Sequence, residues 1–543
     1  MSNLRKDAGL FRAKQNIIYT IRLEALNMKR KTHTTFAAIH LGSEKISMQI
    51  TEYRNLDKYK IIERVSRRIR LGEATFKNKI IPFELVSEIC EILQGFKRLM
   101  VEYGVEEYKL QATTAVREAS NQVFLLDQIY SKTGLEVEVV DMPKEIYTKF
   151  VAIRNTLKNE KISSEREGML MMDISSGGLG VTLVQDEQIR YQENFHVGII
   201  RIKESFARNR RESIHFNKAL TEFLSSTIGP VRQELQQSTV QYLVLSGTET
   251  ELLLRMLGLD EGQLVHRIKA EDFHNFFATM RRMNLPQLIS AYNIPEHVAE
   301  LALPTVLLYE QLLHLLPAQE IIITGDSFID GMQLLHIGRK TSPNLCKEWE
   351  QELISLIHCI GKRYLYDKHH VQQVERLAVT IFEAIAKYYS MGEYERLLLR
   401  ATCILHDIGK YICMRSHSLY SYQLICSTDM LGFSDRDKQI VALASYYHAN
   451  RLFDQSKPMA PQVPKDMVAV VAKLAAIVRL ADALDRSYLQ KIRSCSVTLK
   501  DNKLKIQAVS KTDLALEIWT FEDKAAFFEE VYGIKPILER VDK

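Results

Sequence analysis

Short apolar runs broken by tight turns dominate the first two thirds of the chain. Phe36–Leu41 is an apolar run, Gly42-Ser43-Glu44-Lys45 a turn, and Ile46–Ile50 alternates again, a pattern that predicts strand, turn and returning strand. Tyr59–Arg70 predicts a further strand, and Pro82–Tyr103 a helix with apolar residues at helical spacing. A strand over 110–116, a helix from Glu118, a strand over 135–140 and a helix from Pro143 follow, so strands alternate with helices as in an α/β layer. The hairpin then recurs: Met169–Ile174 is a strand, Ser175-Ser176-Gly177-Gly178 a turn, and Leu179–Val184 returns. Strands at Tyr242–Leu245, leading into Ser246-Gly247-Thr248, and at Ile321–Thr324, leading into Gly325-Asp326, extend this second unit.

After about Pro343 the strands vanish. Leu353–Met391, Glu395–Cys413, Asp435–Ala449 and Met467–Arg486 are all helical in period. The last stretch turns mixed, with a hairpin over 496–508 and a helix through Phe528. Two hairpins a small domain apart, each opening an α/β unit, predict two actin-like (ribonuclease H-like) lobes ahead of an all-helical domain and a small α+β appendage. The expected boundaries are 1–34 for a basic extension, 35–155 and 156–342 for the lobes, 343–490 for the helical domain and 491–543 for the appendage. With 543 residues the chain is too long for one core.

Composition narrows the class. A hydrophobic share of 46% with 26% charged residues is ordinary for a soluble globular protein. No run reaches the roughly eighteen apolar residues of a membrane span, and no secretory signal opens the chain. The expectation is a cytoplasmic protein without a membrane partner. The seven cysteines form no CxxC pair, which fits reduced thiols. The net charge of +5 is compatible with a polyanionic ligand, without pointing to a specific nucleic acid. Residues 1–34 are rich in Lys and Arg and read as a flexible extension; a basic arm touching nucleic acid or membrane is the alternative.

The turns suggest chemistry. Small residues at a strand–turn–strand let backbone N–H groups converge on phosphate oxygens, so Gly42 and Ser43 in the first turn, Ser176, Gly177 and Gly178 in the second, and Ser246, Gly247 and Thr248 are candidate phosphate-binding residues. Two such turns from two lobes can close on one phosphate chain. Asp173, ending the second unit's first strand, stands where a cation such as Mg²⁺ could bridge it to phosphate.

Within Thr114-Ala115-Val116-Arg117-Glu118-Ala119-Ser120-Asn121, the run from Arg117 resembles the Arg-x-Ala-x-Asn segment of the exopolyphosphatase / guanosine-pentaphosphate phosphohydrolase (Ppx/GppA) family. His196-Val197-Gly198-Ile199-Ile200-Arg201, Ala299–Pro304 and Asp330-Gly331 fit later landmarks, so the resemblance runs from about residue 35 to the C-terminus. It implies that Arg117 contacts phosphate, as the geometry of a guanidinium suits, and by register that Glu145 is the general base. Two carboxylate positions depart from the family's pattern, besides Glu44 in the first turn and serines in place of two glycines in the second. His40 stands where the family has an aspartate, and Gly180 where it has a glutamate.

Leu405-His406-Asp407-Ile408-Gly409-Lys410 resembles the His-Asp motif of HD-superfamily phosphohydrolases. The resemblance implies a divalent-metal site completed by an earlier His and a later Asp, positions held here by His370 and Asp482. His417 and His448 lie between them, each as an isolated residue more often a core or surface histidine than a ligand. Three readings stay open. The cleft hydrolyses terminal phosphates of inorganic polyphosphate or guanosine pentaphosphate; or it senses polyphosphate or guanosine tetra- or pentaphosphate without turnover; or the chemistry belongs to the HD-type domain. Homodimerisation through the helical domain is a further expectation.

Overall fold

The computed structural model describes residues 33–164, 168–175, 177–206, 215–235, 238–247, 250–260, 262–314, 316–449 and 461–541. Apart from its last two residues, the basic extension lies outside them.

Strands β1 (Thr34–Leu41), β2 (Lys45–Asn55), β3 (Lys58–Arg68), β4 (Glu107–Ala112) and β5 (Glu138–Val139) form one sheet in the order β3-β2-β1-β4-β5. β1 pairs antiparallel with β2 and parallel with β4. As the central strand, β1 is apolar on both faces. Ala37, Ile39 and Leu41 face a core with Ile89, Leu93 and Phe96 of helix α1 (Phe83–Glu102). Phe36 and Ala38 face the other way, onto Phe328 and Met332.

The second sheet repeats this plan. Strands β6 (Gly168–Ile174), β7 (Leu179–Gln185), β8 (Gln188–Phe195), β9 (Val240–Gly247), β10 (Val265–Lys269) and β11 (Glu320–Thr324) lie in the order β10-β11-β9-β6-β7-β8. Read from β8, this is the first sheet's order with β10 added as an antiparallel edge. Alternation along β6 again splits the sides: Leu170, Met172 and Ile174 enter the core of the second lobe, while Met169 and Met171 face a different core.

Helix α2 (Met142–Asn159) joins the lobes, and helix α3 (Phe328–Thr341) returns from the second lobe to cover β1 and β2 of the first. They cross so closely that a Cβ on Gly331 would come within 1.9 Å of the Thr148 carbonyl oxygen. Residue 155, the expected lobe boundary, falls inside α2.

Helices α4 (Pro343–Arg363), α5 (Lys368–Ile385), α6 (Glu393–Leu405), α7 (His417–Ser427), α8 (Asp435–Tyr447) and α9 (Val468–Ala483) form the helical region. Its core is continuous with Ile146, Tyr147 and Phe150 of α2 and with Phe521 and Phe528 of helix α10 (Ala515–Tyr532). A sheet of β12 (Ser494–Lys500), β13 (Lys503–Val509) and β14 (Lys535–Val541) closes the chain.

Several elements differ from the periodicity reading. The stretch 353–391 is not one helix: α4 and α5 are separated by a turn in which Leu365 adopts φ +51°. The strand read over 110–116 ends at Ala112, and Thr114–Arg117 is a single helical turn. Among the described residues no helix is long and apolar enough to cross a membrane.

Candidate functional site

Two clusters bring the predicted residues together. In the first, the start of α2 faces the ends of β1, β4 and β6. Pro143 in the first turn of α2 suits a helix start. Asp141, just before it, makes no cap bond and instead accepts from the Asp435 amide of α8 at 2.9 Å. Glu145 projects from the first turn, where the helix dipole favours an acid.

Arg117 reaches Glu145 rather than open solvent. Its Nη1 donates to the Val140 carbonyl at 2.5 Å and to Glu145 Oε2 at 3.2 Å, and its Nη2 donates to Thr114 Oγ1 at 3.0 Å. One turn along α2, Lys149 is also buried. Its Nζ donates to Asp173 Oδ2 at 2.8 Å and lies 3.9 Å from Glu145 Oε1. Burial works against the ammonium, but Asp173 and Glu145 outweigh it and raise the Lys149 pKa. Asp173 Oδ1 accepts from Ser246 Oγ at 3.1 Å. Two carboxylates and two cations thus neutralise one another.

Lys149 was absent from the sequence reading. The signal was present: a lysine at i+4 from Glu145, in an otherwise apolar run of Ile146, Phe150, Val151 and Ile153.

The departures at His40 and Gly180 have physical counterparts. His40 Nε2 lies 3.1 Å from Thr113 Oγ1 and its ring packs on Phe328. Burial, then the charges of Lys149 and Lys45, push its pKa down to about 3, so it is neutral. At Gly180 a Cβ would meet the Ile146 side chain at 3.0 Å, so Ile146 fills the room a longer residue would need.

Two of the turn amides, those of Gly42 and Gly178, are turned into their own loops. Gly42 N–H donates to Lys45 O, Ser43 O accepts from Gly72 N–H, and Gly178 N–H donates to Ser175 Oγ. Gly247 has φ +123°, and a Cβ there would sit 1.7 Å from the Ile174 carbonyl oxygen, so only glycine fits. Ser176 and Thr248 lie outside the described residues. The lobes are shut on each other: Arg201 donates to the Gly177 carbonyl at 3.0 Å and pairs with Glu118 of the first lobe. Between Thr114, Glu145, Asp173 and Gly178 remains about 10 Å³, roughly one water's room.

The second cluster lies in the helical region. Asp367 caps α5 by accepting from the amides of His369 and His370, which places His370 in the first turn facing inward. His406 and His448 end α6 and α8, and each Nδ1 donates back to the carbonyl three residues earlier, Cys403 at 2.8 Å and Ser445 at 2.5 Å. His417 Nδ1 does the same to Met414 at 3.1 Å. His370 Nδ1 donates to Asp485 Oδ2 at 2.9 Å. In all four rings Nδ1 is tied down and Nε2 points at carboxylates.

Asp407 Oδ2 lies 3.9 Å from His370 Nε2 and 3.5 Å from His406 Nε2; its Oδ1 lies 3.4 Å from His417 Nε2 and 3.8 Å from His448 Nε2. Asp482 Oδ1 is 3.4 Å from His370 Nε2 and 3.9 Å from His406 Nε2. The Nε2 atoms of His370 and His406 are buried without a hydrogen-bond partner. Buried orphan nitrogens facing two carboxylates can serve as donors to a divalent cation. Asp407 Oδ2 also accepts from Lys410 and from the Tyr488 hydroxyl at 2.8 Å, whereas among the described residues Asp407 Oδ1 and Asp482 Oδ1 make no contact with an ammonium.

Electrostatics differ among the rings. Burial opposes a proton on His370, but the carboxylates of Asp482 and Asp485 beside the ring outweigh it and raise it to about 9. Burial, then His406, pushes His448 down to about 3. Burial also lowers His406. The attraction of His406 and His448, with Lys410 beside it, holds the buried Asp407 carboxyl well below the usual range. Gly409 permits this assembly, because a Cβ there would meet the His417 carbonyl at 2.0 Å. His417 and His448, read as isolated, join the cluster, and Asp485 was missed for want of any motif.

Comparison with known proteins supports the fold and both regions. The Ppx/GppA phosphatase family model matches residues 50–336, and that for Ppx/GppA phosphatase, domain III, matches 355–521. A guanosine-5'-triphosphate,3'-diphosphate pyrophosphatase of Vibrio vulnificus is 22% identical over 414 residues, 74% of this chain and 78% of that protein. A bifunctional 3-dehydroquinate synthase/phosphatase of Fusobacterium nucleatum is 23% identical over 189 residues, but the match spans only 28% of that protein. The crystal structure of an exopolyphosphatase from Cytophaga hutchinsonii superposes with TM-score 0.50 at 18% identity, over 56% of this chain and 98% of that one. With two repeated lobes, a joining helix that carries Glu145, and family matches through the helical region, the chain belongs to the Ppx/GppA phosphatase family.

Proposed function

We propose that this chain is a divalent-metal-dependent phosphohydrolase acting on a phosphoanhydride, and that its reaction centre is the histidine–aspartate cluster of the helical region. One observation carries the placement: four imidazoles present Nε2 to the two oxygens of Asp407. The proposed substrate class is inorganic polyphosphate or guanosine pentaphosphate, supported by what the relatives are named for.

His370, His406, Asp407 and Asp482 would hold the ion, with His417 and His448 on the other oxygen of Asp407. Imidazole and carboxylate together suit zinc, manganese, iron or magnesium. When bound, such an ion supplies Lewis-acid polarisation of a phosphoryl oxygen and a nucleophile at neutral pH. The protein's own groups do the rest. Asp485 and the carbonyls of Cys403 and Ser445 fix ring orientation and tautomer. Lys410, which pairs with Asp407 and Tyr488 and is partly exposed, is placed to meet a phosphate oxygen arriving from solvent. Seven free cysteines fit a reducing compartment, and we place the enzyme in the cytoplasm.

A second reading keeps hydrolysis in the interlobe cleft, with Glu145 as general base and Arg117 as phosphate contact. Its support is that Thr114, Glu145, Asp173 and Gly178 line one cavity. Phosphate release from long-chain polyphosphate and from guanosine pentaphosphate, with Mn²⁺ or Mg²⁺, separates the two. On the first reading His406→Ala and Asp407→Asn abolish release and Glu145→Gln leaves most of it. The reverse pattern moves the reaction to the cleft. Binding of either substrate without release leaves a sensor and refutes both.

A further inference from the structure

The family's chemistry leads one to look for a divalent ion in the interlobe cleft, held by carboxylates from both lobes. The groups found there do not fit one. Lys149 Nζ stands 2.8 Å from Asp173 Oδ2 and 3.9 Å from Glu145 Oε1, between the two acids that would have to share the ion. The remaining oxygens are engaged: Asp173 Oδ1 by Ser246, Glu145 Oε2 by Arg117 and Thr114. At the two positions that could have added carboxylates, His40 is a neutral imidazole and Gly180 is backed by Ile146. Three of the four carboxylate oxygens are therefore engaged from within, and the two acids and two cations leave a net charge near zero.

We propose that Lys149 is the resident cation of the cleft and that its ammonium excludes a divalent ion there. A lysine four residues after Glu145 on α2 is carried into place by the helix itself, so the positive charge arrives with the fold and not with a cofactor. An entering dication would meet the ammonium at the distance of its own ligands, with only Glu145 Oε1 not already hydrogen-bonded to offset the repulsion. Any phosphoanion taken up by this cleft is then recognised by ammonium and guanidinium rather than through a metal bridge. This inference is independent of where hydrolysis occurs.

Mn²⁺ binding to the full chain, read as loss of the free-ion paramagnetic resonance signal, tests it. Asp173→Asn and Glu145→Gln should leave the number of ions bound per chain unchanged. Lys149→Met, nearly equal in length but uncharged, should add one ion per chain by freeing the two carboxylates. Loss of one ion in either acid variant overturns the proposal, as does a folded Lys149→Met chain that gains none. Should Lys149→Met fail to fold, the two acid variants decide alone. Failure of the helical-region reading shows elsewhere, as ion binding that Asp407→Asn does not reduce.

Discussion

Asp326, just beyond β11, offers a sharp quantitative test. Its Oδ1 accepts from Thr156 Oγ1 of α2 at 2.8 Å, its Oδ2 has no partner, and the residue is 8% exposed. Burial raises the carboxyl to about 6, the Thr156 bond opposing and Asp330 assisting. The folded protein therefore keeps a proton that the unfolded chain releases near pH 3.8. With a raised folded pKa, stability is full below pH 3.8 and falls as pH rises through 6. At 1.36 kcal/mol per unit the loss is about 3 kcal/mol by pH 8. Asp326→Asn holds the neutral shape at every pH. The variant should match wild type near pH 4 and exceed it by up to about 3 kcal/mol near pH 8. Urea unfolding followed by tryptophan fluorescence reads this region, since Trp349 packs over Gly338 of α3. Comparing the gap at two pH values cancels carboxylates elsewhere. A gap that is the same at pH 4 and pH 8 refutes the assignment.

Other outcomes follow from single contacts. Gly247→Ala should destabilise the second lobe by about 3 kcal/mol or more, seen as a lower melting temperature, because the β6 backbone leaves its Cβ no room. Arg201→Met removes the link to Glu118 and to the Gly177 carbonyl, so solution scattering should show a larger radius of gyration and hydrogen exchange near Gly177 should quicken. Asp485→Asn should weaken Mn²⁺ or Zn²⁺ affinity by about 10–100-fold in a chelator competition, because it loosens the His370 ring without touching the ion.

The repeated hairpins were legible because period-two alternation and turn residues are local properties. So was the order of His370, His406, Asp407 and Asp482 along the chain. What lay beyond the sequence was set by tertiary contact. β8 and β10 are half-buried edge elements whose mixed composition hides alternation. Lys149 looked like any helix lysine until the fold set it against Asp173. His417 became a partner because Gly409 lets the turn after Asp407 approach α7, and His448 because α8 ends beside Asp407. The candidate phosphate amides were chosen by residue type, and backbone geometry decides whether such groups face a ligand or their own loop.

Helix α2 is buried around most of its circumference, and its contacts are of three kinds. Glu145 and Lys149 meet the cleft, Thr148 and Thr156 bear on α3 and the end of β11, and Tyr147 and Pro143 meet Gly432 of the helical region. A rod clamped this way behaves as a camshaft: it cannot turn or slide for one neighbour without displacing the others. Opening of the lobes would thus be transmitted to the ground on which α8 stands, and α8 ends in His448. Cutting the chain near residue 343 would expose a wall of the same core on each piece.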